Sequence, residues 1–278
     1  MAKKRSILIT GCSTGIGYHC AKALQQDGWQ VIASCRKLAD VSRLQAEGLS
    51  CVQLDVSCTD SILAGLAKTL ELTGGSLDAL FNNGAYGQPG AVEDLTRDTL
   101  RKQFETNFFG WCELTNAVLK IMHKQNSGRI VHNSSILGLA AMPFRGAYNA
   151  SKFALEGITD TLRLELAGSH ITLSLIEPGP IVSEFRPNAL RALDENIDIN
   201  NSRFGFQYAS AIARLSDPAP VSRFTLGPEA VYKKLKHALN SKKPKPRYYV
   251  TFPTHLMGTL KRLLSTRAMD RILGRIKG

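Results

Sequence analysis

Ser6-Ile7-Leu8-Ile9-Thr10-Gly11-Cys12-Ser13-Thr14-Gly15-Ile16-Gly17 is the stretch on which the fold of this chain turns. Its first part is a short apolar run that reads as a buried strand; its second is a glycine-rich turn opening a helix over 15–27. Gly11, Gly15 and Gly17 allow a tight turn and a close approach of main chain to a ligand. A helix beginning there aims its unpaired amides and the positive end of its dipole at the same place, which suits a pyrophosphate. Such a turn can also bind nothing, but its position after the first strand of an alternating chain favours a dinucleotide. Ser13, Thr14 and Ile16 fall inside it. The spacing is Gly-x-x-x-Gly-x-Gly, not Gly-x-Gly-x-x-Gly.

Outward from this turn, β-branched runs at 6–10, 30–35, 50–54, 77–82, 129–134 and 171–177 alternate with helical patterns at 15–27, 38–47, 59–72, 97–125 and 147–167. That alternation predicts an α/β protein, a single Rossmann-type doubly wound parallel sheet with helices on both faces. A late strand is expected over 247–252. Segment 184–226 breaks the alternation and reads as an irregular, polar lid over the site. No repeat or Pro/Gly/Ser linker divides the chain, which gives a catalytic domain over 1–253 and a tail over 254–278.

The chain has 278 residues, 44% of them hydrophobic, enough for a sizeable core. Its first strand begins too early for a secretory signal, and no apolar run has the length of a membrane span. Cys12, Cys20, Cys35, Cys51, Cys58 and Cys112 lack metal-ligand spacing and fit reduced thiols in a cytoplasmic protein, with no metal site. Residues 1–232 hold 22 basic and 22 acidic side chains; residues 233–278 hold 13 basic ones and a single acid, Asp270. The net charge of +12 therefore belongs to residues 233–278.

At the end of the second strand, an acid would accept hydrogen bonds from a ribose 2′-hydroxyl and repel a 2′-phosphate. Cys35 occupies that place and Arg36-Lys37 follow it, which predicts NADP(H) over NAD(H). Two cations at a helix start can also be ordinary solvated charges. Asp55-Val56 close the third strand, where they are placed to touch an adenine; an acid there is equally a common helix cap.

The chemistry is carried by Ser134-Ser135 and by Tyr148-Asn149-Ala150-Ser151-Lys152, thirteen residues beyond Ser135. Tyrosine and lysine four apart share one helix face, and an adjacent ammonium favours phenolate. A serine hydroxyl from another segment can hold a substrate oxygen against the phenol. Lone Tyr-x-x-x-Lys pairs are common on helices as half-buried tyrosines beside solvated lysines, so the weight comes from the surrounding motifs.

Taken together, these residues resemble the short-chain dehydrogenase/reductase family from Ser6 to about Ser183. The family's first motif is Thr10 to Gly17, its Asn-Asn-Ala-Gly is Asn82-Asn83-Gly84-Ala85 with the last two exchanged, and its asparagine is Asn107. Its catalytic serine falls on Ser135, with Ser134 the rival, and its Tyr-x-x-x-Lys on Tyr148 and Lys152. Pro178-Gly179, Ile181 and Ser183 stand where the family contacts nicotinamide, Ser183 replacing the usual threonine. The resemblance implies Tyr148 as general acid or base, Lys152 lowering its pKa and holding the ribose, Ser135 orienting the substrate oxygen, and Asn107 holding a water. It also implies a homodimer or homotetramer through helices 97–125 and 147–167.

Within the family, Phe81 to Gly87, Ile176 to Ile181 and Arg223 to Val231 look most like bacterial NADP-dependent aldehyde reductases and their 17β-hydroxysteroid and retinol dehydrogenase relatives. An apolar aldehyde or ketone is the substrate so implied, with Tyr86, Phe144, Phe185, Phe204, Phe206 and Tyr208 as candidate lining. Alternatives are an alcohol dehydrogenase working oxidatively and a non-catalytic NADP sensor. The pair Arg36-Lys37 favours reduction, since NADP pools are commonly kept reduced. In 254–277, Leu256, Leu260, Leu263, Leu264, Ile272 and Ile276 recur at helical intervals among cations, so this tail can lie on an anionic membrane or pack on the body. It has no nucleic-acid-binding motif.

Overall fold

The computed structural model describes residues 4–220 and 222–275. Val221 in the expected lid and Ile276, Lys277 and Gly278 of the tail lie outside the described residues. In chain order the elements are β1 (Ser6–Ile9), α1 (Gly15–Gln26), β2 (Gln30–Cys35), α2 (Leu38–Ala46), β3 (Ser50–Gln53), α3 (Thr59–Thr73) and β4 (Ala79–Asn82). They continue with α4 (Arg97–Phe104), α5 (Gly110–Lys124), β5 (Gly128–Asn133), α6 (Gly146–Glu165), β6 (Ile171–Glu177), α7 (Phe185–Asn196) and α8 (Gly205–Ser216). The last four are α9 (Glu229–Asn240), β7 (Arg247–Tyr249), α10 (Phe252–Leu263) and α11 (Thr266–Leu273).

All seven strands run parallel in the order β3-β2-β1-β4-β5-β6-β7. Successive side chains of a strand point to opposite faces, so each strand feeds two cores. Ile7, Ile9, Ala33 and Val131 meet Cys20 and Leu24 of α1 and Val231 and Leu235 of α9 on one face. Leu8, Ile32, Leu80 and Ile130 meet Ile62 of α3, Trp111 and Val118 of α5 and Leu155 of α6 on the other. Strand order reverses between β1 and β4, and the crevice this leaves at the carboxyl ends of the strands is where ligands bind in such sheets.

Two sequence expectations are corrected, and of the two readings of the tail the structure shows one. Segment 184–226 is not irregular: Ala189, Ala192 and Leu193 of α7 and Tyr208, Ala211 and Leu215 of α8 are buried at helical spacing, and short helices with mixed polar faces hide that period. The late strand keeps only Arg247–Tyr249, because Pro253 at the start of α10 turns the chain into a helix. The tail is two helices packed on the body. Met257 and Met269, with Leu260, Leu264 and Ile272, join Ile136, Leu137, Ala140 and Tyr148 in one cluster. Its apolar stripe is thus covered by protein, leaving Leu256 and Leu263 exposed. Among the described residues no helix is long and apolar enough to cross a membrane.

Candidate active site

The glycine turn is shaped by its missing side chains. Gly11 and Gly15 have φ of +70° and +58°, the left-handed region that favours glycine. A Cβ on Gly17 would lie 2.2 Å from the Gly11 carbonyl oxygen, and one on Gly11 2.5 Å from Gly84 Cα. The cradle is therefore bare main chain around the start of α1, with Thr14 at its N-cap, and it fits a pyrophosphate. At the exchanged Gly84-Ala85 pair, a Cβ on Gly84 would stand 3.2 Å from Gly11 N, so the two turns pack closely there.

Asn83 ties the strand ends together. Its Nδ2 donates to Thr10 O at 3.0 Å, its Oδ1 accepts from Asn133 at 2.9 Å, and its N–H and that of Gly84 both donate to Thr10 Oγ1 at 2.9 Å. Its side chain is a strut of the crevice. Asp55 Oδ1 accepts from Ser57 N and Oγ at 2.9 and 2.7 Å, closing the turn after β3, while Val56 packs into the core. Arg36 and Lys37 are exposed at the end of β2, with Cys35 buried behind them. Pro178 O accepts from Ile136 N at 2.7 Å, Ile181 bridges Leu226, and Ser183 lies over the glycine turn, 3.1 Å from where a Gly15 Cβ would be. Gly179 packs against Thr251, leaving no space for a side chain.

Ser135, Tyr148, Lys152 and Asn107 come together beside this crevice, all buried. Ser135 lies close enough to Tyr148 to act on its phenol, whereas Ser134 Oγ lies beneath Gly138 on the side of Glu156, which separates the two candidate serines. Burial pushes the Tyr148 phenol up to about 12; the Ser135 hydrogen bond and Arg145 draw it only partly back. Lys152 is pushed down to about 7 by burial, with Glu156 opposing. Its Nζ donates to Asn133 O at 2.9 Å and stands 4.4 Å from the Trp111 ring centroid and 5.7 Å from that of Tyr148. The expected lowering of the phenol by Lys152 is not seen: burial dominates, and the opposing charge is that of Arg145.

Asn107 sits in a π-helical turn (Glu105–Phe109) that joins α4 to α5, a widened turn often found at functional sites. Its Nδ2 donates to Tyr86 O at 2.8 Å and Ser151 Oγ at 3.3 Å, and its Oδ1 accepts from Tyr86 N at 3.1 Å. Its amide therefore clamps the loop after β4. Of the candidate aromatics, Phe185 stands edge-on to Tyr148 at 5.3 Å between centroids. Phe144, Phe204 and Tyr208 pack on one another under α8, and Phe206 points outward. Sequence reasoning missed Trp111, one turn beyond Asn107, whose Nε1 donates to Gly84 O at 2.8 Å. It also missed Asn133, beside the serine pair, and His132, held between Thr115 and Thr159 and pushed down to about 3 by burial.

Comparison with known proteins decides the family. The family model described as short chain dehydrogenase matches residues 5–193. The chain belongs to this family. It is 42% identical to the uncharacterized oxidoreductase YbbO of Escherichia coli, over 97% of this chain and 94% of that one. Human retinol dehydrogenase 8 is 39% identical over 68% of this chain and 63% of its own, and human 17-beta-hydroxysteroid dehydrogenase type 1 is 34% identical over 88% and 77%. A Burkholderia phymatum short chain dehydrogenase/reductase in complex with NAD shares the fold, with a TM-score of 0.78, 24% identity and coverage of 100% and 98%. An actinorhodin polyketide ketoreductase with NADPH gives 0.71 at 26% identity, covering 89% and 95%. The protein is accordingly an oxidoreductase of a family that binds NAD(P).

Proposed function

We propose that this protein is an NADPH-dependent reductase of apolar aldehydes or ketones, with Tyr148 as general acid. The observation that carries the reading is a buried Tyr148 phenol beside Ser135 and Lys152, next to a crevice whose glycine turn fits a dinucleotide. Arg36 and Lys37 are the groups to pair with a 2′-phosphate, since nothing acidic stands at Cys35. The bound dinucleotide supplies the hydride. Tyr148 and Ser135 donate hydrogen bonds to the carbonyl oxygen, and Tyr148 passes its proton to that oxygen as charge develops. A phenol raised to about 12 is protonated at neutral pH, the state an acid needs; the oxidative direction requires it as phenolate. Lys152 is placed to restore that proton and to bind the ribose.

The apolar substrate class is supported by Phe185 on one side of Tyr148 and by Leu137 and Met257 packed with it. Relatives named for retinol and a 17β-hydroxysteroid support the same class. Exposed Phe109, Phe153, Ile158 and Leu164 on and beside α5 and α6 support self-association through those helices, which light scattering tests. The site is tested by NADPH oxidation across aldehydes and ketones of increasing chain length. Tyr148→Phe should cut kcat by about 10³-fold while leaving NADPH binding intact. Turnover within a few-fold of the parent, or a lower KM for NADH than for NADPH, would overturn the respective assignment.

A further inference from the structure

The net charge of +12 carried by residues 233–278 has no part in the proposed reaction, yet much of it lines one groove. β7 is the outer strand of the sheet, and the groove follows it between α9 and α10. One lobe, about 460 Å³, is lined by Leu226, Lys233, His237 and Val250 among others. A second, about 260 Å³, is lined by Arg247, Tyr249, His255 and Arg262. Lys234, Lys245 and Tyr248 belong to both lobes and form the waist between them. Glu229, the first residue of α9, is the one acid among the lining residues.

The walls of this groove are fixed by packing and hydrogen bonds. Ala230, Lys233, Lys234 and His237 are spaced i, i+3, i+4 and i+7, so they share one face of α9, while Val231, Leu235, Ala238 and Leu239 bury another. Lys245 stands between Pro244 and Pro246, whose rings fix φ. Its N–H donates to Tyr248 Oη at 2.9 Å, and its carbonyl accepts from Ser174 Oγ at 2.8 Å. Tyr248 Oη is also 2.8 Å from His237 Nδ1. In the second lobe the Tyr249 ring stands edge-on to His255 at 5.4 Å, and a Cβ on Gly258 would lie 2.6 Å from its Cε2. Yet the cations on these walls lack counter-charges. Among the described residues Lys233, Lys234, Lys245 and Arg262 have no ion pair, although Glu229 lies one turn before Lys233. Lys236, outside the lining, is paired with Asp27, and Arg247 with Glu156, Asp160 and Glu177. Like charges gathered in one concavity repel one another, and its walls focus their field on whatever enters.

We propose that this groove is a second ligand site, which binds a small molecule carrying two or more phosphoryl groups. Each lobe has cations of its own, and Lys234 and Lys245 stand between them, so two phosphoryl groups are held at once. The Arg262 guanidinium suits a bidentate pair with one, while the lysines act as point charges on both. The site is separate from the dinucleotide crevice. Strand order places β7 three strand spacings from β4, about 14 Å, and five from β2, which ends beside Arg36 and Lys37, about 24 Å. A membrane surface suits it less well, because the cations are set in the walls of a concavity and not on a protruding face.

The test is calorimetric titration of the full-length protein with inorganic tripolyphosphate at low salt, which needs neither substrate nor turnover. One tripolyphosphate per chain should bind, and more weakly as NaCl is raised. Lys234→Gln/Lys245→Gln removes the two cations of the waist and should weaken binding by about 10-fold or more. Lys242 and Lys243 are exposed nearby but outside the lining. Lys242→Gln/Lys243→Gln makes the same change in net charge and should alter the affinity by less than about twofold. Saturating NADPH should leave the titration unchanged. Absence of binding, an equal loss in both double variants, or displacement by NADPH overturns the proposal, the last by placing the anion in the crevice. A chain that sediments with phosphatidylglycerol vesicles and ignores tripolyphosphate assigns the charge to a membrane surface and overturns it likewise. Tripolyphosphate held at the waist by a chain inert toward every carbonyl would count against the proposed reaction and not against this site.

Discussion

The floor and the roof of the crevice are built from opposite materials. The floor, made by the ends of β1, β4 and β5 with α5 and α6, is polar and largely buried: Thr10, Asn83, Asn107, Asn133 and Lys152 hydrogen-bond among themselves or with main chain, and His132 with Thr115 and Thr159. The roof, made by α7, α10 and α11, is aromatic and aliphatic: Phe185, Met257, Leu260 and Met269 reach Tyr148 or its neighbours by packing. A buried hydrogen-bonded group cannot move without leaving a partner unsatisfied, at about 1–3 kcal/mol each. Apolar contacts tolerate rearrangement at lower cost. Tyr148 stands where the two meet, and that difference predicts a fixed reaction with a substrate preference that changes easily.

The comparison is broken most directly at Gly17. An alanine there places its Cβ 2.2 Å from the Gly11 carbonyl oxygen, against main chain that is itself held by Gly84 and Asn83. Gly17→Ala should cost about 3 kcal/mol, at the upper end for overpacking, and abolish dinucleotide binding measured by fluorescence. A stable variant with unchanged NADPH affinity would show that the floor yields as readily as the roof.

Lys152→Met probes the floor's ionic content, and its sign is unusual for a position proposed to be catalytic. Folding lowers Lys152 from 10.5 to about 7, so the unfolded chain binds more protons between these values and the parent gains stability as pH rises through that window. The variant lacks this dependence. It should be more stable than the parent by about 1–4 kcal/mol at pH 7 and below, less the cost of leaving Asn133 O without its donor, with the gain shrinking toward pH 10.5. Denaturant melts at several pH values check it; a gain that grows with pH would refute the burial argument.

How much of this was legible follows the same division. Backbone rules leave a mark in composition: the glycine turn, the strand ends carrying Asn83 and Ser135, and the Tyr148–Lys152 spacing all read directly, because each demands a residue type at a set distance. Asn107 was legible, but not the π turn that carries it, since a one-residue widening does not disturb helical periodicity. Arg247, at the start of a three-residue strand far along the chain from Glu156, gives no local signal. The roof was least legible. In α7 and α8 the apolar positions are few and small, and the cations of 254–278 read as a surface tail although Met257 and Met269 anchor it to the Tyr148 cluster.

Met269→Ala tests that anchoring. Met269 is buried, yet α11 has eight residues and is held mainly by this cluster. The substitution should cost about 2 kcal/mol, at the low end for core methionine because a short terminal helix can shift to fill the gap. Hydrogen exchange should show α11 opening ahead of the sheet. An exchange rate for α11 equal to that of β5 in the variant would mean the roof is as rigid as the floor.

Phe185 carries the smallest expected change in stability and the sharpest distinction. Its ring stands edge-on to Tyr148 at 5.3 Å, and a Cβ on Gly87 would lie 2.5 Å from its Cζ, so it fits between the two with no room to spare. An edge-to-face pair contributes about 0.5–1.5 kcal/mol, so Phe185→Ala should lower stability by roughly that amount. Its effect on reactivity depends on the substrate. Removing the ring uncovers Tyr148, which lowers the phenol from about 12 by relieving burial and opens the roof to branched carbonyls. The ratio of kcat/KM for a branched over a straight-chain ketone should rise by about 10-fold, the low end of what one methylene-sized contact commands in an apolar pocket. Gly87→Ala should act through the same ring without enlarging the pocket, displacing Phe185 and lowering kcat/KM for both ketones together. If Phe185→Ala leaves the ratio unchanged, specificity does not reside in the roof, and the polar floor must select the substrate as well as convert it.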